Sequence, residues 1–315
     1  MNPFLSGIHH VTAITGDAQK NIDFYTGVLG LRMVKLTVNF DDPTTYHLYY
    51  GDESGRPGTA MTFFAWNGAR RGKIGPPQVT VTSFAAPLAA LDFWREHLKE
   101  RGVDGISEEA RFGDTVLAFT DPDDMRLEIV ATADPGGSAP TGGPVPPEHA
   151  IRGFHGVTLS EQGPAPTAAL LTDGMGFTEE NADEYRTRYR AGGGSFASVV
   201  DILKTPDEAR GVNGAGTVHH VAFRAPDDDH QKAWQTEIMK RGFSVSPVMD
   251  RCYFHSIYFR EPGGILFEIA TDGPGFTADE SPDTLGQSLQ LPPWMESDRA
   301  TLEKVLSPLR LPEWG

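Results

Sequence analysis

The feature that most constrains the fold is that the chain repeats itself. Displaced by 140 residues, it lays Trp94 on Trp234, Arg101-Gly102 on Arg241-Gly242, Arg111 on Arg251, Pro122 on Pro262 and Glu128-Ile129 on Glu268-Ile269 without a gap. Displaced by 146, it lays Gly7 on Gly153, Val11-Thr12 on Val157-Thr158, Thr26 on Thr172 and Gly30 on Gly176. Four units therefore begin near residues 7, 77, 152 and 216, an array of one supersecondary motif. Each opens on a β-rich run (IHHVTAI, QVTVTSF, FHGVTLS, VHHVAFR) and continues into a helix of about a dozen residues with apolar positions at helical spacing. Strands follow, separated by turns such as Asp121-Pro122-Asp123-Asp124 and Glu261-Pro262-Gly263-Gly264. The unit is βαβββ and the fold class α+β.

Between the second and third units, residues 134–150 (DPGGSAPTGGPVPPEHA) are rich in proline and glycine and lack periodicity, as a linker would. The expected organisation is a pair of units over 4–133, the linker, a second pair over 151–275, and a tail over 276–315. The tail is expected to pack on the surface, with one short amphipathic helix within PPWMESDRATLEKVLSPLR.

Composition narrows the functions open to such an array. Forty-three acidic against 27 basic residues give a net charge of −16, and no basic stripe offsets it, which argues against nucleic acid as a partner. No apolar run is long enough for a membrane span and the N-terminus lacks signal-peptide features, so the expected compartment is the cytoplasm. Cys252 is the single cysteine, so intrachain disulfides and thiolate-rich metal sites are excluded, and a metal must use nitrogen and oxygen ligands.

Such ligands recur in register. His9-His10 in the first unit returns as His219-His220 in the fourth, and Glu268 lies on the last strand of that fourth unit. Two imidazoles and a carboxylate form a facial ligand set. The offsets put Thr80 and Gly156 at the corresponding place in units two and three. Glu128 repeats the carboxylate in unit two, while the strands TAMTFFAW and SFASVVDI offer apolar or small residues there. One complete set follows: His10, His220 and Glu268. It requires units one and four to share a cavity and leaves units two and three a second cavity, with Glu128 but no imidazole, which is expected to be metal-free. Neighbours on a strand point to opposite faces, which selects the second histidine of each pair as the ligand. His155 aligns with His9, so the first position recurs where the ligand is gone.

Four βαβββ units with histidine on a first strand and glutamate on a last strand resemble the vicinal oxygen chelate superfamily of glyoxalases, bleomycin resistance proteins and extradiol dioxygenases, over about residues 4–275. The strings GLRMVKLTVNFDDPTTYHLYYGD and DRCYFHSIYFREPGGILFEIA resemble the ring-cleaving dioxygenases of hydroquinones. The resemblance implies two half-barrel cavities, and at the metal an Fe(II)-dependent, extradiol-type cleavage of a hydroquinone or catechol by dioxygen. Mn(II), Zn(II) and Ni(II) are the alternative metals. It also implies that His9, His219 and Tyr258 belong to the pocket. Tyr258 stands an even ten residues before Glu268, where unit two has Ala118. Arg251 could hold an ionised hydroxyl, although Arg111 at the same place in unit two points equally to a structural ion pair. His255 is a further acid/base candidate, out of phase with Tyr258. Two other classes stay open: a glyoxalase-like metal-dependent lyase or isomerase, which would more often take a second carboxylate where Thr62 and Phe63 stand, and a non-catalytic drug- or quinone-binding resistance protein. A homodimer is compatible with the sequence.

Overall fold

The computed structural model describes residues 5–192 and 196–312. Four modules follow one another as read from the repeats. The first holds β1 (Ile8–Thr15), α1 (Ala18–Gly27), β2 (Arg32–Asn39), β3 (Asp42–Gly51) and β4 (Ala60–Ala65). The second holds β5 (Gln78–Pro87), α2 (Leu91–Glu100), β6 (Ser107–Arg111), β7 (Asp114–Thr120) and β8 (Arg126–Thr132). The third holds β9 (Gly153–Glu161), α3 (Ala165–Ala169), β10 (Phe177–Ala182), β11 (Arg186–Ala191) and β12 (Val199–Lys204). The fourth holds β13 (Val218–Ala225), α4 (Asp228–Lys240), β14 (Met249–Asp250), β15 (Phe254–Arg260) and β16 (Leu266–Pro274).

Local chemistry fixes these limits. Asp17 caps α1 by accepting from Lys20 N–H (3.1 Å), and Asp227 caps α4 by accepting from His230 N–H (2.9 Å). The two repeated turns are held by their leading carboxylates: Asp121 accepts from the N–H groups of Asp123 and Met125, and Glu261 from those of Gly263 and Ile265. In the third module the expected dozen-residue helix is a correction: α3 has five residues and runs into a π-turn over Leu170–Gly174. Proline at 164 and 166 suits a helix start but supplies no N–H for continuation.

The modules pair first with last and second with third. One eight-stranded sheet runs β14-β15-β16-β13-β1-β4-β3-β2 and the other β10-β11-β12-β9-β5-β8-β7-β6. Each is joined at its centre by an antiparallel contact, β1 with β13 and β5 with β9. These are the two half-barrels.

All four central strands carry a β-bulge, and its position matters. Ile8 pairs with Phe223 and His10 with Ala222, so His9 is the extra residue; Thr12 pairs with His220 and Ala13 with Val218, so His219 is extra. The second sheet repeats this with Thr80 and His155. Thr80 is therefore the counterpart of His219, and Val81 that of His220. The gapless offset of 140 fails by one residue on this strand.

The tail also departs from expectation. It ends in the short helix α5 (Arg299–Val305), but its first part is core: Phe276 and Leu285 are buried against Val34, Tyr49, Tyr253 and Phe254. It covers the edge strand β2. Lys35, fully buried, pairs with Asp279 (2.5 Å) and Glu280, and Gln290 N–H donates to Leu36 O (2.9 Å). An edge strand with unpaired backbone groups invites such cover. Residues 134–150 hold neither helix nor strand, and are pinned where Trp94 Nε1–H donates to His149 O (2.8 Å). No described helix is long and apolar enough to cross a membrane.

Candidate metal centre and pocket

Because β1 and β13 are neighbours, residues 210 positions apart meet. Nε2 of His10 lies 3.3 Å from Nε2 of His220, and Oε2 of Glu268 lies 2.9 Å from His220 Nε2 and 3.4 Å from His10 Nε2. All three side chains are buried, and Glu268 Oε2 accepts no hydrogen bond of good geometry among the described residues. Burial alone would raise the Glu268 carboxyl, but the two imidazoles outweigh it and hold the group well below the usual carboxylate range. Three lone-pair donors thus converge on one point, an arrangement that a cation satisfies. These residues are the His/Cys/Asp/Glu group with metal-holding spacing found among the described residues.

The bulges alter the argument from strand alternation. An extra residue breaks the two-residue period, so the first histidine of each pair stays beside the second. Nδ1 of His9 is 2.9 Å from Nδ1 of His10, and Nδ1 of His219 is 2.8 Å from Nδ1 of His220. If Nε2 of each inner histidine offers its lone pair to a metal, its Nδ1 carries the proton and donates it to the outer imidazole. Burial pushes both His9 and His219 down to about 3, so both remain neutral acceptors. The two then part company. His219 lines the mouth of the pocket, whereas His9 is buried against the rings of His10 and Phe254.

Tyr258 pairs directly across the sheet with Glu268, and its ring meets that of His220 edge-on at 5.8 Å. Burial raises its phenol above the ordinary tyrosine value, so it keeps its proton at neutral pH. Arg251 Nε–H donates to the Tyr258 hydroxyl (3.3 Å). The structure takes His255 elsewhere: its Nδ1 meets Asp228 on α4 (2.6 Å), away from the metal ligands. Phe254 covers His10 at 5.0 Å, and Phe64 stands edge-on to His219 at 5.4 Å. The sequence reading missed both phenylalanines.

It also missed His47 and Tyr49, which line the pocket from β3. Thr62 pairs with Thr12 on β1 as Glu268 pairs with Ala222 on β13, so Thr62 occupies the place of Glu268 in the first module. Its hydroxyl bonds Thr12 (2.8 Å) and His47 Nε2 (3.0 Å), and Tyr49 OH bonds His47 Nδ1 (2.9 Å). The available signal was the two-residue spacing of His47 and Tyr49 in YHLYY, on a strand two places from β1.

In the second sheet the counterpart of Glu268 is Glu128. It accepts from Ser83 Oγ (2.6 Å) and from both Arg111 Nη atoms (3.0 and 2.7 Å). Two expectations about this side need correction. The strand SFASVVDI does carry a carboxylate at the ligand place: Asp201 pairs with Thr158 as Thr62 does with Thr12, and it is neutralised by Arg186 and Arg188. The second cavity is also not free of imidazole, since His155 lines it at 3.8 Å from Asp114.

Known proteins resemble this chain closely. The model of the glyoxalase/bleomycin resistance protein/dioxygenase superfamily matches residues 7–129 and 154–269. A Bacillus subtilis protein named as a candidate ring-cleaving dioxygenase, MhqO, is 50% identical over 307 residues, covering 98% of this chain and 97% of that one. The chlorohydroquinone/hydroquinone 1,2-dioxygenase of Sphingobium indicum is 37% identical over 310 residues, 96% of each chain. Among solved structures, a candidate dioxygenase from Bacillus subtilis superposes with a TM-score of 0.94 at 48% identity, covering 98% of this chain and 99% of that one. Glyoxalase I of Zea mays shares the fold at 15% identity, with a TM-score of 0.62 over 84% of this chain and 92% of that one.

Proposed function

From the premise that the chain belongs to the glyoxalase/bleomycin resistance protein/dioxygenase superfamily and is a ring-cleaving dioxygenase within it, we propose that His10, His220 and Glu268 hold Fe(II) and that the substrate is a hydroquinone. The observation that carries this is the convergence of three buried lone-pair donors beside Thr62, whose hydroxyl is engaged by Thr12 and His47 where a fourth carboxylate ligand would stand. Three protein ligands on one face leave adjacent positions open; Fe(II) bound there would bring the diol and dioxygen together and pass electrons between them, opening the ring beside a hydroxylated carbon. A lyase or isomerase of the same superfamily has less support from this ligand set.

The protein's own groups do the rest. Phe64 and Phe254 give the aromatic ring two apolar faces against the histidines. Tyr258, protonated and aimed by Arg251, donates a hydrogen bond to an oxygen of the bound diol or its product. His219 stands at the mouth and, as a neutral imidazole, accepts from His220 and so orients that ring. The relative's name supports the hydroquinone class. Loading the protein anaerobically with Fe(II) and following oxygen uptake with hydroquinones and catechols tests the proposal. Uptake with ring-opened product supports it; no uptake on any diol refutes it.

A further inference from the structure

The mouth of the pocket carries charges that ring cleavage leaves unused. Arg251 is the one cation among the described residues lining the pocket and its mouth, a mouth that also holds the carboxylates of Asp41 and Asp42. Asp41 lies in the two-residue turn Phe40-Asp41 between β2 and β3, held by its own N–H donating to Asn39 Oδ1 (3.0 Å). From there it reaches across the opening, from module one to module four, and accepts from Arg251 Nη2 at 3.0 Å. The Arg251 side chain is 16% exposed and that of Asp41 64%, so the cation faces inward and its partner stands outside as a cap. Asp42 has no such role. Its oxygens accept from Trp66 Nε1 (3.0 Å) and from the hydroxyls of Thr44 and Thr45, all within module one.

We infer that Asp41 sets the charge selectivity of the pocket. By occupying Arg251 it excludes aromatic diols that carry an ionised substituent, so the enzyme accepts hydroquinones bearing hydrogen, alkyl or halogen substituents and rejects dihydroxybenzoates. This rests on the ring-cleaving function proposed above. A ring carboxylate entering the mouth either remains unpaired beside Asp41, at like charge and partly dehydrated, or displaces Asp41 from Arg251; both routes are unfavourable. An uncharged ring meets neither obstacle and packs on Phe64 and Phe254. Asp41 is therefore a specificity residue that acts through Arg251.

Oxygen uptake by the Fe(II)-loaded enzyme on methylhydroquinone and on 2,5-dihydroxybenzoate gives the test. In the wild type kcat/KM should favour methylhydroquinone by about 100-fold or more, and Asp41→Asn should lower that ratio about tenfold, chiefly through the KM for 2,5-dihydroxybenzoate. Asp42→Asn removes the same charge one residue away and should move the ratio less than about twofold, because it leaves the Arg251 pair in place. Equal use of both substrates by the wild type, no shift in Asp41→Asn, or equal shifts in the two variants overturns the inference and leaves ring cleavage standing. No uptake with either substrate overturns the hydroquinone assignment and the inference with it.

Discussion

Glu268 and Glu128 stand at the same place in the two sheets, each opposite a strand residue ten positions earlier and each accepting from a serine hydroxyl. What neutralises them differs. In the second sheet Arg111 ends strand β6 and turns its guanidinium onto Glu128; in the first, β14 stops at Asp250 and Arg251 turns instead to Tyr258 and Asp41. The turns that follow begin on matching left-handed residues, Phe112 (φ 50°) and Cys252 (φ 65°). Beyond them, Asp114 faces His155 and Arg188, whereas Phe254 covers His9 and His10. One sheet closes its carboxylates with guanidinium groups and the other leaves a carboxylate to imidazoles. The lesson is that a shared backbone plan carries no chemistry until the neutralising partner is chosen.

The largest expected effect separates the two glutamates. Glu268→Gln should weaken metal binding at least about 100-fold, by analogy with the dependence of metal sites on individual ligands, while Glu128→Gln should leave one metal equivalent per chain. Glu128→Gln should instead lower stability, by no more than about 3 kcal/mol because Arg111 keeps Glu109 as a partner. Metal analysis and denaturant midpoints read the two outcomes; two equivalents in the wild type would break the comparison. Next comes Tyr258→Phe, whose position in the second sheet is filled by Ala118. It should lower kcat about 10- to 100-fold while metal content is kept.

A smaller effect is expected at the bulges. His219→Leu removes the acceptor from His220 Nδ1–H and should weaken metal binding about tenfold, whereas His219→Gln, which supplies a carbonyl acceptor, should recover most of it. Titration with Co(II) followed by its absorption bands measures both. The corresponding change of Thr80 should leave the metal untouched.

The smallest effect contrasts the junctions between modules. At the third-to-fourth junction Glu161 is buried beside Glu261, and burial, then the neighbouring carboxylate, raise it from 4.5 to about 8. In the first half the same place holds Thr15, whose hydroxyl donates to Asp123 (2.6 Å). Between pH 4.5 and 8 the folded chain holds a proton at Glu161 that the unfolded chain has released, so this contribution to stability is full below the lower value and lost as pH rises through about 8. Thermal melts from pH 6 to 9 should decline more steeply in the wild type than in Glu161→Gln; parallel curves would remove the distinction.

Much of this was legible in the sequence because repeats compare like with like. The four modules, their pairing and the His10, His220, Glu268 set all follow from residues falling in register. What escaped depends on spacing that changes between copies. Thr62 and Asp201 are counterparts at an offset of 139 rather than 146, so Asp201 was invisible at the fixed displacement. Thr80 was misplaced by one because the bulge precedes the helix where the count shifts. Tyr49 is the counterpart of Tyr258, each opposite the ligand place of its module, but their distances from that place along the chain differ; His47 has no equivalent of its own kind, and repetition gives no signal for a residue that occurs once.

The central pairing of β1 with β13 has a consequence for how the protein is made. The second sheet is encoded by one uninterrupted stretch, from β5 to β12, and can close as soon as that stretch leaves the ribosome. The first strand of the chain must wait for almost the last, across more than 200 residues, before its sheet has a centre. The half without the ligand set can therefore close first, and the candidate metal centre can come together only when nearly all of the chain exists.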